Sequence, residues 1–312
     1  MTNLLDKLTK PVILDGSMST PLEAMGEETS SDLWTAKALV DHPDRVYQVH
    51  YDYFKAGARI TITDSYQANL PAFAKYGYSE DEARDLIKKS AEIAIQARDD
   101  YEQATGVHNY VAGSVGPYGA YLADGNEYRG NYHLTPEEYV NFHAPRIDEL
   151  VQGGADCLAI ETQPKLEEVL AILDYVQKTY PALDVYVSFS LKDPQTISEG
   201  TSLTEAAQAV QKYPQVFATG VNCMKLKWTV DAIKSLKRVT DSIIVYPNSG
   251  AEYDPQVKKW VYPPDAPDFG QAGPDWVKAG ATIVGGCCTV MPADIQKLAE
   301  AVKKETNQEE NN

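Results

Sequence analysis

The chain has 312 residues, enough for a sizeable core in either two domains or one large α/β barrel. Its 28 basic and 45 acidic residues give a formal charge of −17, which argues against general attraction to nucleic acid or an anionic membrane and suits a cationic or zwitterionic small substrate. Met1 to Leu8 lacks the apolar stretch of a signal peptide and no run of about 18 apolar residues occurs, so a cytoplasmic protein is expected; its four cysteines are too few for a disulfide scaffold and point to metal binding or reactivity.

Val12-Ile13-Leu14-Asp15-Gly16 reads as a first strand ending in an acid and a glycine, with Asp15 on the face of Ile13. A helix over Ser19 to Met25 and a loop through Ser31-Asp32-Leu33-Trp34 lead to a second helix, Asp44 to Lys55. The β-branched Arg59-Ile60-Thr61-Ile62-Thr63 is the second strand. Ser79-Glu80-Asp81-Glu82 is a capping box, and Ala83, Leu86, Ile87, Ala91, Ala94 and Ala97 follow it at helical spacing. Tyr110 to Ser114 is the third strand, and Gly116-Pro117-Tyr118-Gly119 opens a long polar loop through Arg129 and His133, of a length that is usually functional.

Thr135-Pro136-Glu137-Glu138 is a further capping box, with Pro at the first helical position. Asp156 to Glu161 is the fourth strand, with Cys157, Ala159 and Glu161 on one face. A helix over Lys165 to Tyr180, a fifth strand over Asp184 to Ser190 and a helix capped by Ser202 follow. Phe217 to Cys223 is the sixth strand, Trp228 to Arg238 a helix, and Ser242 to Tyr246 the seventh strand, closed by Pro247-Asn248-Ser249-Gly250. Glu252 to Pro274 reads as an ordered loop. A short helix near Trp276 precedes the eighth strand, Ala281 to Gly286, and Pro292 to Lys304 is the last helix. A single domain over 1–305 is expected, with 306–312 a disordered polar tail.

Eight strands alternating with helices predict parallel pairing with right-handed crossovers, and that number suggests a closed (β/α)8 TIM barrel. An open doubly wound sheet competes with it. Asp15, Glu161, Cys223, Asn248, Cys287 and Cys288 all fall at C-terminal strand ends, where a barrel gathers function and an open sheet could not bring them round one pocket.

In a barrel the sixth and eighth strands flank the seventh, so Cys223 can meet the Gly285-Gly286-Cys287-Cys288 turn, whose glycines let two successive thiols face one point. Three thiolates with an open fourth position are a catalytic rather than a structural zinc arrangement. Such a site suits activation of a thiol, which is only a few per cent ionised at neutral pH when free. The plain alternative is three buried inert cysteines, and Cys157 reads as core. Asp15 and Glu161 could bind an ammonium, although an Asp so placed is as readily an N-cap. Trp34, Tyr66, Tyr118 and Tyr121 could offer aromatic faces to a cation, or simply pack. The five histidines show no metal-binding spacing and read as surface or helix residues.

Asp15-Gly16, Gly113-Ser114-Val115-Gly116-Pro117, Glu161-Thr162, Gly220-Val221-Asn222-Cys223, Tyr246-Pro247-Asn248-Ser249-Gly250 and Gly285-Gly286-Cys287-Cys288 with Pro292 resemble the zinc-dependent homocysteine S-methyltransferases over nearly the whole chain. Tyr118 to Gly125 and Glu127-Tyr128-Arg129-Gly130 look most like the compact bacterial and plant enzymes that use S-methylmethionine. The likeness is weaker to betaine-homocysteine methyltransferase with its C-terminal oligomerisation extension, and no appended cobalamin or folate module is expected. The resemblance implies Zn2+ on Cys223, Cys287 and Cys288, and homocysteine held through its amino group by Asp15 and Glu161. Thr162, Trp34, Tyr66, Tyr118 and Asn248 are further candidates for substrate binding. Homocysteine and a sulfonium methyl donor, S-methylmethionine or S-adenosylmethionine, are then the partners, and a monomer is expected. One departure is Asp64, where many members carry Asn or Ala. Rival readings are a redox barrel using a dithiol, a non-catalytic zinc- or thiol-binding barrel, and a methyltransferase for selenocysteine or another thiol.

Overall fold

The apolar, β-branched segments pair side by side in parallel, each followed by a helix that covers its outer face. The computed structural model describes residues 3–29, 31, 33–254, 259–261 and 268–310. The strands are β1 (Val12–Ile13), β2 (Ile60–Ile62), β3 (Tyr110–Val115), β4 (Cys157–Gln163), β5 (Asp184–Phe189), β6 (Val216–Asn222), β7 (Ile243–Tyr246) and β8 (Ile283–Val284). Their order is β1-β8-β7-β6-β5-β4-β3-β2, every pair parallel. The two ends of that order also meet. Leu14 bridges Ile60 in parallel, Arg59 N donates to Ile13 O at 2.8 Å and Asp15 N to Ile60 O at 3.2 Å. A ring closed in this way is the expected (β/α)8 barrel.

The outer helices are α1 (Pro43–Lys55), α2 (Glu80–Thr105), α3 (Pro136–Gln152), α4 (Leu166–Thr179), α5 (Leu203–Val210), α6 (Thr229–Leu236), α7 (Phe269–Ala279) and α8 (Pro292–Glu310). Both full capping boxes form, at Ser79 and Thr135, and Ser202 accepts from Glu205 N. Leu39, Val49, Ile87, Ile147, Leu150, Ile172, Val187 and Leu236 fill the layer between strands and helices. A second cluster fills the barrel itself: Val12, Leu14, Ile60, Ala112, Cys157, Ala159, Tyr186, Ile244, Tyr246 and Ile283 point inward. Leu4, Leu5 and Leu8 close its lower end, where Leu4 N donates to Asp184 Oδ2 at 2.7 Å. With that end packed, a ligand would enter the barrel at its C-terminal mouth.

Two expectations need correction. The stretch Glu252 to Pro274 is not a loop throughout: Glu252–Asp254 pairs antiparallel with Lys259–Val261, and α7 begins at Phe269, with the rest of the stretch outside the described residues. Asp268 caps α7 through Gly270 N, and Gly273 packs against Leu298 and Val302 of α8. That tertiary contact overrides the poor helix propensity of Gly273 and Pro274. Residues 306–310 are helical too, because nothing after Lys304 breaks the helix and Lys278 pairs with Glu305 at 2.8 Å. The short helix Leu70–Lys75, capped by Asn69, was not expected. Among the described residues, no helix is long and apolar enough to cross a membrane.

Candidate active site at the C-terminal mouth of the barrel

A cavity of about 380 Å³ lies at the C-terminal strand ends, and three cysteines form one wall of it. Cys223 follows β6, and Cys287 and Cys288 follow β8. Their Sγ atoms all lie within 4.8 Å of one another, with Cys223 and Cys288 at 3.4 Å. Three thiolates on one tetrahedral ion with bonds of about 2.3 Å sit about 3.8 Å apart, so the cluster matches what a zinc ion needs. Among the described residues it is the one group of His, Cys, Asp or Glu side chains arranged in this manner.

Backbone geometry turns these thiols inward. Cys223 adopts φ +51° just past the end of β6, its N–H donating to Tyr246 O at 3.1 Å. Cys287 N donates to Pro247 O at 2.8 Å and Cys288 N to Asn248 Oδ1 at 3.2 Å, so the β7 end shapes the cysteine turn. The glycines before that turn act differently from expectation. Neither has a positive φ; a Cβ on Gly285 would stand 2.7 Å from Leu14 Cβ, and one on Gly286 2.4 Å from Val290 Cγ1. They permit close approach, while the left-handed residues are Cys223 and, after the pair, Thr289 at φ +66°.

Trp34, Ala123, Thr162 and Cys223 all have positive φ and all line the cavity; with Thr289 they are the described non-glycine residues in that conformation. Each costs on the order of 1–3 kcal/mol, a strain that collects where a fold holds side chains for a task. Thr162 is locked in place by Asn222, which takes its N–H at 2.8 Å and donates to its hydroxyl at 2.8 Å.

Glu161 lies on the inward face with Cys157 and Ala159, as its position in β4 predicts. Its carboxyl accepts from Ser114 Oγ and, at 3.1 Å, from Tyr246 OH, and burial pushes it up to about 7. Burial, followed by the charge of Glu161, raises Asp15 as well. Asp15 Oδ2 accepts from Ile62 N at 2.7 Å, while its Oδ1 has no partner among the described residues. Cys223 is held well below the usual thiol range by hydrogen bonds from Cys287 and Cys288, which are themselves pushed up.

Trp34, Tyr66, Glu161, Thr162 and the three cysteines line the cavity; Asp15, Tyr118 and Asn248 do not. Tyr118 packs its ring against Tyr121, Tyr132 and Phe142, and its N–H donates to Glu168, behind the wall. Asn248 serves the cysteine turn. Trp34 and Tyr66 stand edge to face at 5.9 Å. Of the histidines, His50 and His143 are wholly buried, the latter bonded to Glu168 at 2.7 Å. The sequence reading assigned no chemistry to Tyr128, whose hydroxyl is 3.0 Å from Cys223 Sγ, or to Glu127, which also lines the cavity. Their signals were their place in the long loop after β3 and the Glu127-Tyr128-Arg129-Gly130 motif, to which no role was attached.

The model of the family described as homocysteine S-methyltransferase matches residues 12–302. Homocysteine S-methyltransferase YbgG of Bacillus subtilis is 44% identical, covering 92% of this chain and 93% of its own length. Homocysteine S-methyltransferase 2 of Zea mays is 37% identical, over 96% and 92%. The crystal structure of the homocysteine methyltransferase MmuM from Escherichia coli in its metallated form superposes with a TM-score of 0.86 at 41% identity, covering 96% of this chain and 98% of that one. With a family match from the first barrel strand into the last helix, and relatives alike over almost their full lengths, this chain belongs to the homocysteine S-methyltransferase family.

Proposed function

We propose that the chain transfers a methyl group from S-methylmethionine, or S-adenosylmethionine, to the sulfur of homocysteine and so forms methionine, with zinc held by Cys223, Cys287 and Cys288. The observation that carries this reading is the convergence of three thiols on one wall of a cavity lined by Asp64, Glu127 and Glu161 and, among the described residues, by no lysine, arginine or histidine. A zinc ion bound there supplies deprotonation of a substrate thiol at neutral pH. Glu161, with Asp15 behind it, binds the homocysteine ammonium, and Thr162 fixes the adjoining backbone. Trp34 and Tyr66 present their rings to the sulfonium. The reaction joins a cationic and an anionic sulfur and cancels both charges, so a mouth that excludes water favours it, and alignment of the two sulfurs supplies much of the rate. No separate general base is needed.

The test is a methyl-transfer assay with homocysteine and each donor, run beside zinc analysis. Cys223→Ser and Cys288→Ser are expected to lose both zinc and turnover. A zinc-free variant of normal activity would sink the reading. A protein without stoichiometric zinc that cycles a Cys223–Cys288 disulfide would instead be a redox barrel.

A further inference from the structure

Asp64 stands just past β2, only 2% exposed, and lines the cavity. The Thr35 hydroxyl bonds its carboxyl, but Oδ2 has no hydrogen-bond partner among the described residues. Buried polar atoms normally find one. Two other residues that line the cavity share the condition. Gln67 gives its Nε2 to Ala120 O at 2.8 Å, which fixes the amide and leaves Oε1 unpartnered, and Glu127 Oε2 is unpartnered as well. All three orphaned atoms are acceptors on residues that line one cavity. Glu161, in contrast, already accepts from Ser114 and Tyr246.

What these acceptors lack is a group made only of donors, with positive charge to match the carboxylates. Water offers two donors but no charge, and among the described residues no basic side chain lines the cavity to fill the place. A primary ammonium offers three donors and a full charge. Homocysteine and a sulfonium amino acid each carry one, and the cysteine and Glu161 wall is suited to the first. We propose that Asp64 is the carboxylate of the subsite for the α-ammonium of the methyl donor. This assignment rests on the methyl-transfer reading and makes Asp64 a residue that selects donors bearing an α-amino group over simple sulfonium compounds.

The experiment is a cycle of two donors and two proteins. The donors are S-methylmethionine and 4-(dimethylsulfonio)butanoate, which is the same molecule without its α-amino group; the proteins are the wild type and the near-isosteric Asp64→Asn. Wild type is expected to bind the deaminated donor at least tenfold more weakly. Asp64→Asn is expected to lose at least tenfold in KM for S-methylmethionine, to lose no more than twofold for the deaminated donor, and to keep its KM for homocysteine within twofold. Equal losses with both donors, a shift confined to homocysteine, or a wild type indifferent to the amino group would each overturn the assignment. Calorimetric binding of both donors without homocysteine reads the subsite apart from turnover, so failed methyl transfer and a failed ammonium site are separate results. The wild-type comparison of the two donors stands even if Asp64→Asn does not fold.

Discussion

Cys223 shows how much one residue's backbone can decide. Its left-handed φ of +51° comes immediately after a regular strand and turns its thiol toward the pair 65 residues onward. Tyr128 then adds a contact that no spacing rule reveals, a hydroxyl 3.0 Å from the same sulfur. A hydrogen bond to a charged group contributes about 1.5–3 kcal/mol. Tyr128→Phe is therefore expected to lower turnover by roughly tenfold or more while one zinc per chain is kept, as read by steady-state rates beside metal analysis. Loss of the metal in that variant would show that Tyr128 holds the cluster together rather than tuning it.

At the scale of elements, the chain's periodicity made most of the frame legible. All eight strands and the major helices lie where apolar alternation and capping boxes put them, because those signals depend on neighbours a few residues away. Contacts between elements left weaker traces. Gly220 in β6 is one: a Cβ there would stand 1.6 Å from Ile244 O of β7, so Gly220→Ala is expected to yield little soluble protein or a melting temperature lowered by many degrees. Arg146 of α3 is another. It is 1% exposed, donates to Tyr66 O at 2.8 Å and to Gly116 O at 2.6 Å, and meets His143 Nδ1 at 2.8 Å, with His143 bonded in turn to Glu168. The chain holds the backbone of Tyr66 from behind. Arg146→Met leaves those carbonyls and His143 Nδ1 without their donor, at a cost of about 1–3 kcal/mol for each unsatisfied group, which a denaturant titration would detect.

For the whole molecule, closure of the ring by Leu14 and Ile60 brings Asp64, Glu127 and Glu161 around one mouth. Burial pushes Asp64 and Glu161 both up to about 7. A carboxyl with a raised folded-state pKa favours folding while protonated, so its contribution is complete below the unfolded pKa of about 4 and is lost as the pH rises through about 7. Ligand-free wild type should therefore lose melting temperature relative to Asp64→Asn as the pH is taken from 5 to 8. A constant difference between the two proteins over that range would contradict the raised pKa.

The sequence by itself determined the alternation of strands and helices, the barrel, the three cysteines at strand ends and the inward face of Glu161, all of which follow from local period and chain order. Tertiary structure alone decided the rest. It gave Gly285 and Gly286 the task of close approach rather than of a left-handed turn, set Tyr118 and Asn248 behind the wall, left Asp15 bonding Ile62, and put Tyr128 and Asp64 in the cavity. The physical reason is that a strand's alternation ends with the strand. Past that point a side chain's direction depends on which other strand ends stand beside it, and only the closed ring fixes those distances.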